Sequence, residues 1–304
     1  MIRYFPFTEK FDLKMGTTPL PTDQAFIECD EEYISEVQLK RELLAADHPY
    51  YFQANKNTDQ AQWEVVDKVL TTLALDDAQH FELERNGNQW LWKNKMLNET
   101  QAFHFGDSTT LPLQPLDWVG RQIQEDLVLL NKESVLVAGQ LCFPSGWCLD
   151  EKMNRHFLEI HSPLPSLLSP MIQTASNFVE RIPLHKTIVR NNWGFRVGNQ
   201  LDLSSKHSST YRTRLDSASK LTLNAFGDHI FLRVEHQSLS RLPVSEHILF
   251  TIHTYQSPLA EEAKDPWRMK TLSSFLKTVP PELLEYKLMA PFAATLAHYI
   301  DQHH

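Results

Sequence analysis

The chain is short of the residues that build the most recognisable cofactor sites. Glycine occurs nine times in 304 residues, and neither GxGxxG nor GxxxxGK[ST] appears, which excludes the usual glycine-rich cradles for dinucleotides and nucleoside triphosphates. Cysteine occurs three times, at Cys29, Cys142 and Cys148. An odd, sparse set without a CxxC pair points to a reducing compartment and away from a structural zinc site. No HExxH or paired-histidine spacing recruits a non-haem metal. Ser145-Gly146 lacks the GxSxG setting of a nucleophile elbow. Positive charge is in deficit, 29 Lys and Arg against 38 Asp and Glu for a net −9, which argues against bulk nucleic-acid binding. No apolar run is long enough to span a membrane, and MIRYFPFTEKFDLKMG lacks the apolar centre of a signal peptide. The expectation is a cytoplasmic protein with neither nucleic acid nor membrane as partner.

What is present is enough apolar material, 42% of residues, for a substantial core. The first thirty residues are irregular and proline-rich. Helical spacing predicts helices over Tyr33–Ala46 and Gln62–Leu75, with a loop at Asn55–Gln60 between them. Gln79–His104 reads as a small hairpin turning at Asn86-Gly87. Leu116–Leu130 reads as an amphipathic helix whose adjacent Glu125-Asp126 form a solvated face or orient a neighbour. Val135–Phe143 is a short buried strand, Glu151–Glu159 a helix, Lys186–Arg196 an alternating strand, Leu203–Thr210 a serine-rich mobile loop, and the chain from Trp267 onward helical. Helices, then strands, then helices predict an α+β fold with an antiparallel sheet. The whole of 1–304 is expected to be a single domain.

The segment Phe231–Tyr255 reads as two strands closed by LPVSE. Ile230, Leu232 and Val234 alternate with Arg233, Glu235 and Gln237; Ile248, Phe250 and Ile252 alternate with Thr251, His253 and Tyr255. The polar set is either a solvated sheet surface or a pocket wall. If Lys186–Arg196 joins the same sheet, Arg190 can join Arg233, Glu235, Gln237 and His253 on one surface.

His161 closes a helix-like segment just before SPLP. Proline biases Ser162 towards extended backbone, so the histidine is held by stiff chain. That suits a ligand whose ring orientation is fixed, set against the commoner capping or core histidine. With no second ligand at metal spacing, a one-histidine site needs a cofactor that brings its own donors, as a porphyrin does. Cys142 and Cys148 flank FPSGW; a thiolate ligand and a buried small residue are the two readings there. Trp118, Trp147 and Trp193 read as core.

The ordered motifs QEDLVLL (Gln124–Leu130), LCFPSGW (Leu141–Trp147), EK (Glu151-Lys152), IHSPLP (Ile160–Pro165), RNNW (Arg190–Trp193), VEHQSLSRLP (Val234–Pro243) and LFTIHTY (Leu249–Tyr255), with FPFTEKFDLKMGTTPL (Phe5–Leu20) before them, resemble the haem-dependent oxidative N-demethylase alpha-subunit-like family from about Phe5 to Tyr286. The resemblance implies a PAS-like antiparallel sheet with flanking helices and helical extensions, its core roughly 114–256. It implies a haem b iron, dioxygen and a small methylated secondary amine oxidised to formaldehyde. Electrons would come from NADPH through a separate flavin and iron–sulfur reductase subunit, none of whose motifs occurs here. Carried onto this chain, it makes His161 the axial ligand and Arg190 and Glu235 the distal catalytic pair, with Arg190, Arg233 and His253 helping to hold the cofactor. An arginine can donate to iron-bound dioxygen, and a glutamate can bind an ammonium or relay a proton. The chain departs from the resemblance at His236 and His253, where arginine is expected, and this bears on substrate choice. A PAS-like haem or small-ligand sensor without turnover, and a haem-free interaction protein on the same scaffold, are the alternatives.

Overall fold

A computed structural model describes residues 1–14, 16–161, 165, 168–218 and 220–303. The architecture is α+β. Among the described residues ten strands run β1 (Thr18–Pro19), β2 (Phe52–Ala54), β3 (Phe81–Asn86), β4 (Gln89–Asn94), β5 (Glu99–His104), β6 (Asp126–Leu130), β7 (Leu136–Gln140), β8 (Thr187–Val197), β9 (Ile230–Arg241) and β10 (Ile248–Pro258). Seven of them form one sheet in the order β1-β8-β9-β10-β6-β7-β2, and β3-β4-β5 form a separate sheet. Every pairing between these strands is antiparallel.

The strongest helical spacing is borne out. Helix Tyr33–Ala46 has the expected bounds. Helix Asp59–Asp76 buries Val65, Val66, Val69, Leu70 and Leu73 along one stripe. The small hairpin gains a third strand, and its turn is made by Gly87 at φ +59°, a conformation that glycine adopts without a Cβ penalty. Thr187–Val197 is a long strand as alternation predicts.

Three expectations are corrected. Leu116–Leu130 is not one helix: helix Pro115–Gly120 gives way to β6, whose five residues are all buried. DLVLL is apolar on both sides because both of its faces are covered, so its period does not separate strand from helix. Leu203–Thr210 is not a loop; a 3-10 turn, Ser205–His207, leads into helix Ser208–Ala218. Glu151–Glu159 is divided into helices Leu149–Lys152 and Phe157–Ile160, with Asn154 between them at φ +61°.

The two faces of the large sheet are covered unequally. One face carries Leu127, Leu129 and Leu249 against the N-terminal helices and the small sheet, and Phe195, Leu232, Val234 and Tyr255 against the C-terminal helices. We call this the helix-packed face. The other carries Val128, Leu130, Leu239, Ile248 and Ile252 beneath the short helices that follow β7. We call this the pocket face.

Candidate functional site

Register decides which side chains share a face. Asn192 is opposite Glu235 and Arg190 opposite Gln237, while Arg233, Glu235 and Gln237 are opposite Gln256, Thr254 and Ile252. Directly opposed residues of an antiparallel pair project to the same side. Arg190, Asn192, Arg233, Glu235 and Gln237 are therefore together on the pocket face. His253 is opposite His236 and projects from the helix-packed face, so the expected single surface uniting it with Glu235 does not exist. The solvated reading is also overturned: Arg233, Glu235, Gln237, Thr251 and His253 are all buried.

Glu235 is the carboxylate of the pocket face. Its Oε2 accepts from Gln237 Nε2 at 2.9 Å and from Asn192 Nδ2 at 3.2 Å. Its Oε1 is 3.7 Å from Arg233 Nε. Arg233 itself is committed elsewhere, donating to the carbonyls of Leu201 at 3.0 Å and Phe143 at 2.5 Å. It clamps the LCFPSGW segment onto β9 rather than facing outward. Like Arg233 Nε, Arg190 Nε is buried without a hydrogen-bond partner among the described residues. Burial lowers its pKa, with Glu235 opposing.

His161 caps helix Phe157–Ile160. Its Nδ1 is 2.7 Å from the Phe157 carbonyl, and its ring is 4.2 Å from that of Phe157. A carbonyl only accepts, so Nδ1 carries the proton and Nε2 the lone pair. Burial lowers the imidazole pKa; the Phe157 carbonyl opposes this, and the charges of Arg190 and Lys152 add to it. Ser162 lies outside the described residues. Trp147, Met153, Phe157, Ile160, Phe178 and Phe250 pack half-buried against the apolar core of the pocket face, and we call them its apolar rim.

These residues fit a haem. A neutral imidazole with a fixed tautomer is a competent iron ligand. The rim offers apolar cover for a macrocycle, and Arg190 supplies an unmet buried donor. Cys142 is packed in the core with the N-terminal helices, and burial and the nearby Asp126 raise its thiol pKa well above the ordinary value. A cavity of about 510 Å³ lies elsewhere, against the small sheet, lined by Arg41, Glu99, Arg121 and Gln122 among others. Its charges are already paired, Arg41 with Glu99 at 2.5 Å and Arg121 with Asp117 behind the lining at 2.9 Å, so it presents few unmet groups to a ligand.

Two residues at this face escape the sequence reading. Lys287 Nζ donates to the Trp193 carbonyl at 2.6 Å and to Asn192 Oδ1 at 3.1 Å. The neighbouring Tyr286 is close enough for Glu235 to raise its pKa, an effect second to that of burial. Both come from the end of helix Pro281–Tyr286, about fifty positions past Glu235, and no motif surrounds them.

On the helix-packed face His253 sits among carboxylates, its Nδ1 3.1 Å from Glu125 Oε1 and its Nε2 3.6 Å from Asp30 Oδ2. Glu125 thus orients a neighbour, and Glu125-Asp126 is no solvated face: both are buried. Asp126 accepts the backbone N–H groups of Cys142 at 2.8 Å and Phe143 at 2.7 Å. Stacked beside His253, Tyr255 donates to Glu28.

The family model for haem-dependent oxidative N-demethylase, alpha subunit-like proteins matches residues 17–297.

Proposed function

The chain belongs to the haem-dependent oxidative N-demethylase, alpha subunit-like family, and from that premise we propose that it is a haem-binding oxygenase component that removes a methyl group from a small secondary amine. The observation that carries this reading is a tautomer-fixed histidine on the cover of one sheet face, within electrostatic reach of Arg190, whose buried Nε is unmet among the described residues and which neighbours the buried Glu235 on that face. The sheet with its short helical cover is read as PAS-like, and the cofactor as haem b. In balance, the amine, dioxygen, two electrons and two protons become the demethylated amine, formaldehyde and water. The cofactor supplies the oxidation, which no side chain performs.

The protein's part is binding, orientation and proton handling. His161 would hold the iron through Nε2. Arg190 would offer its guanidinium to an oxygen that gains negative charge. Glu235, acceptor to two amides, holds the substrate ammonium by a charge-assisted hydrogen bond and takes its proton. The apolar rim keeps bulk water from the reacting groups. Electrons are assigned to a separate NADPH-dependent flavin and iron–sulfur reductase, consistent with a family described as an alpha subunit.

The deciding measurement is the absorption spectrum of the protein as isolated and after haem reconstitution. A Soret band is expected, shifted or lost in His161→Ala. No band after reconstitution would sink the proposal, and an unchanged band in the variant would move the ligand elsewhere. A band without amine-dependent NADPH consumption when reductase is supplied would instead identify a haem sensor.

A further inference from the structure

Lys287 is built into the site by contacts that a surface lysine does not need. Beyond its bonds to Asn192 and Trp193, its ammonium lies 4.5 Å from the centre of the Trp193 ring. Its own carbonyl accepts from Arg196 Nη1 at 3.0 Å, and Arg196 Nη2 donates to Ser145 Oγ at 2.9 Å. The chain reverses just beyond it through Leu288 at φ +56°, a left-handed position that costs a non-glycine residue energy and persists where the surroundings over-determine it.

An ammonium only donates, so the Asn192 carbonyl oxygen must face Lys287 and its NH2 must face Glu235. The chain of bonds runs from Lys287 Nζ to Asn192 Oδ1, and from Asn192 Nδ2 to Glu235 Oε2. Gln237 Nε2 donates to the same oxygen, so two amides converge on Glu235 Oε2.

We infer that Lys287 is the positioning residue of this site: acting through the Asn192 amide, it holds Glu235 as a proton acceptor, and it relaxes that hold when its ammonium gives up a proton. This rests on the reading of Glu235 as a site residue. The charged and titratable groups around Lys287 are Arg196, Arg190, Glu235 and Tyr286. Burial first, then Arg196, push its pKa down to about 7, with Glu235 opposing and Arg190 adding. The relay therefore changes state near neutral pH. A neutral amine accepts as well as donates, so the Asn192 amide is no longer locked, and Glu235 loses a nearby positive charge.

The test is NMR on protein carrying [13Cδ]glutamate and [13Cε]lysine, with Glu235 and Lys287 assigned through Glu235→Gln and Lys287→Arg. The Glu235 carboxyl shift is expected to show an inflection that coincides with the titration of Lys287. Lys287→Met and Lys287→Arg should both lose that inflection, with the arginine variant staying at the low-pH wild-type shift. Asn192→Leu should shrink it to the part carried directly by the Lys287 charge while Lys287 still titrates. No inflection in the wild type, one that survives in Lys287→Met, or one undiminished in Asn192→Leu overturns the relay. Should Lys287→Met fail to fold by circular dichroism, the other two variants decide. The measurement needs neither haem nor amine, so it stands or falls separately from the oxidation chemistry.

Discussion

His253 is an imidazole held as a cation inside the protein. Burial alone would lower its pKa, but Glu125, Asp30 and Glu36 outweigh it and raise the value to about 10. The partners answer in kind. Burial would raise Asp30, yet its hydrogen bonds from His253 and Gln124 hold it down at about 2, while burial takes Glu36 up to about 7. The sign follows from linkage: a group whose folded pKa is raised contributes stability that is complete below its ordinary value near 6.5 and is lost as pH rises through the folded value. The melting temperature should therefore fall between about pH 6.5 and pH 10. His253→Gln should flatten that slope and cost on the order of 3–5 kcal/mol at the acidic end, because it leaves buried carboxylates without their cation. Scanning calorimetry across that range checks both; an equal slope in the variant would show that His253 is not the group responsible. The same residue shows what the sequence could not carry. The family resemblance marks His253 as a departure from arginine, but the carboxylates that keep its imidazole charged lie at Asp30, Glu36 and Glu125, far from it along the chain.

The hairpin β9–β10 shows how one residue changes which side chains meet. Read as closed by LPVSE, it would place Arg233, Glu235 and Gln237 opposite Thr251, His253 and Tyr255. The turn takes in His247 as well, whose carbonyl accepts from the Leu242 N–H at 2.8 Å, and the ladder begins at Arg241 opposite Ile248. Because strand side chains alternate with a period of two, that single residue sends the two polar sets to opposite faces. Alternation along each strand was legible; the register between them depends on turn geometry that LPVSEH does not advertise. Helices Tyr33–Ala46 and Asp59–Asp76 were legible because one stripe is buried, whereas β6 was not, since both of its faces are. Close packing of strands and cover can be tested at Gly139. A Cβ there would stand 2.9 Å from Leu149 Cδ2 and 3.2 Å from the Leu127 carbonyl. Gly139→Ala should push helix Leu149–Lys152 away from β7 and destabilise the fold by about 1–3 kcal/mol in chemical denaturation; a change within a few tenths would mean the cover yields freely.

At the scale of the whole molecule, the division of labour between the two sheet faces sets where the protein can open. The helix-packed face is covered by long elements, among them Asp59–Asp76, with a continuous apolar stripe. The pocket face is covered by Leu149–Lys152, Phe157–Ile160 and Ser169–Val179, of which the first two are single turns too short to be stable as isolated helices. Leu149 and Val179 anchor this cover in the core, while Phe157, Ile160 and Phe178 stay half-buried, so few apolar side chains hold it shut. Such segments open at a small fraction of the global unfolding free energy. A ligand seated beneath them binds only the closed form and stabilises it by about 2.7 kcal/mol at a hundredfold excess over its dissociation constant. Hydrogen exchange followed by mass spectrometry should accordingly show fast exchange over helices Leu149–Lys152 and Phe157–Ile160 in the haem-free protein. Reconstitution should protect these helices together with the Asn192 and Glu235 region of β8 and β9, and leave Tyr33–Ala46 and Asp59–Asp76 unchanged. Protection centred on the small sheet instead would place the ligand in the cavity lined by Arg41, Glu99 and Arg121, and would separate the haem site from the face that gathers His161, Arg190 and Glu235.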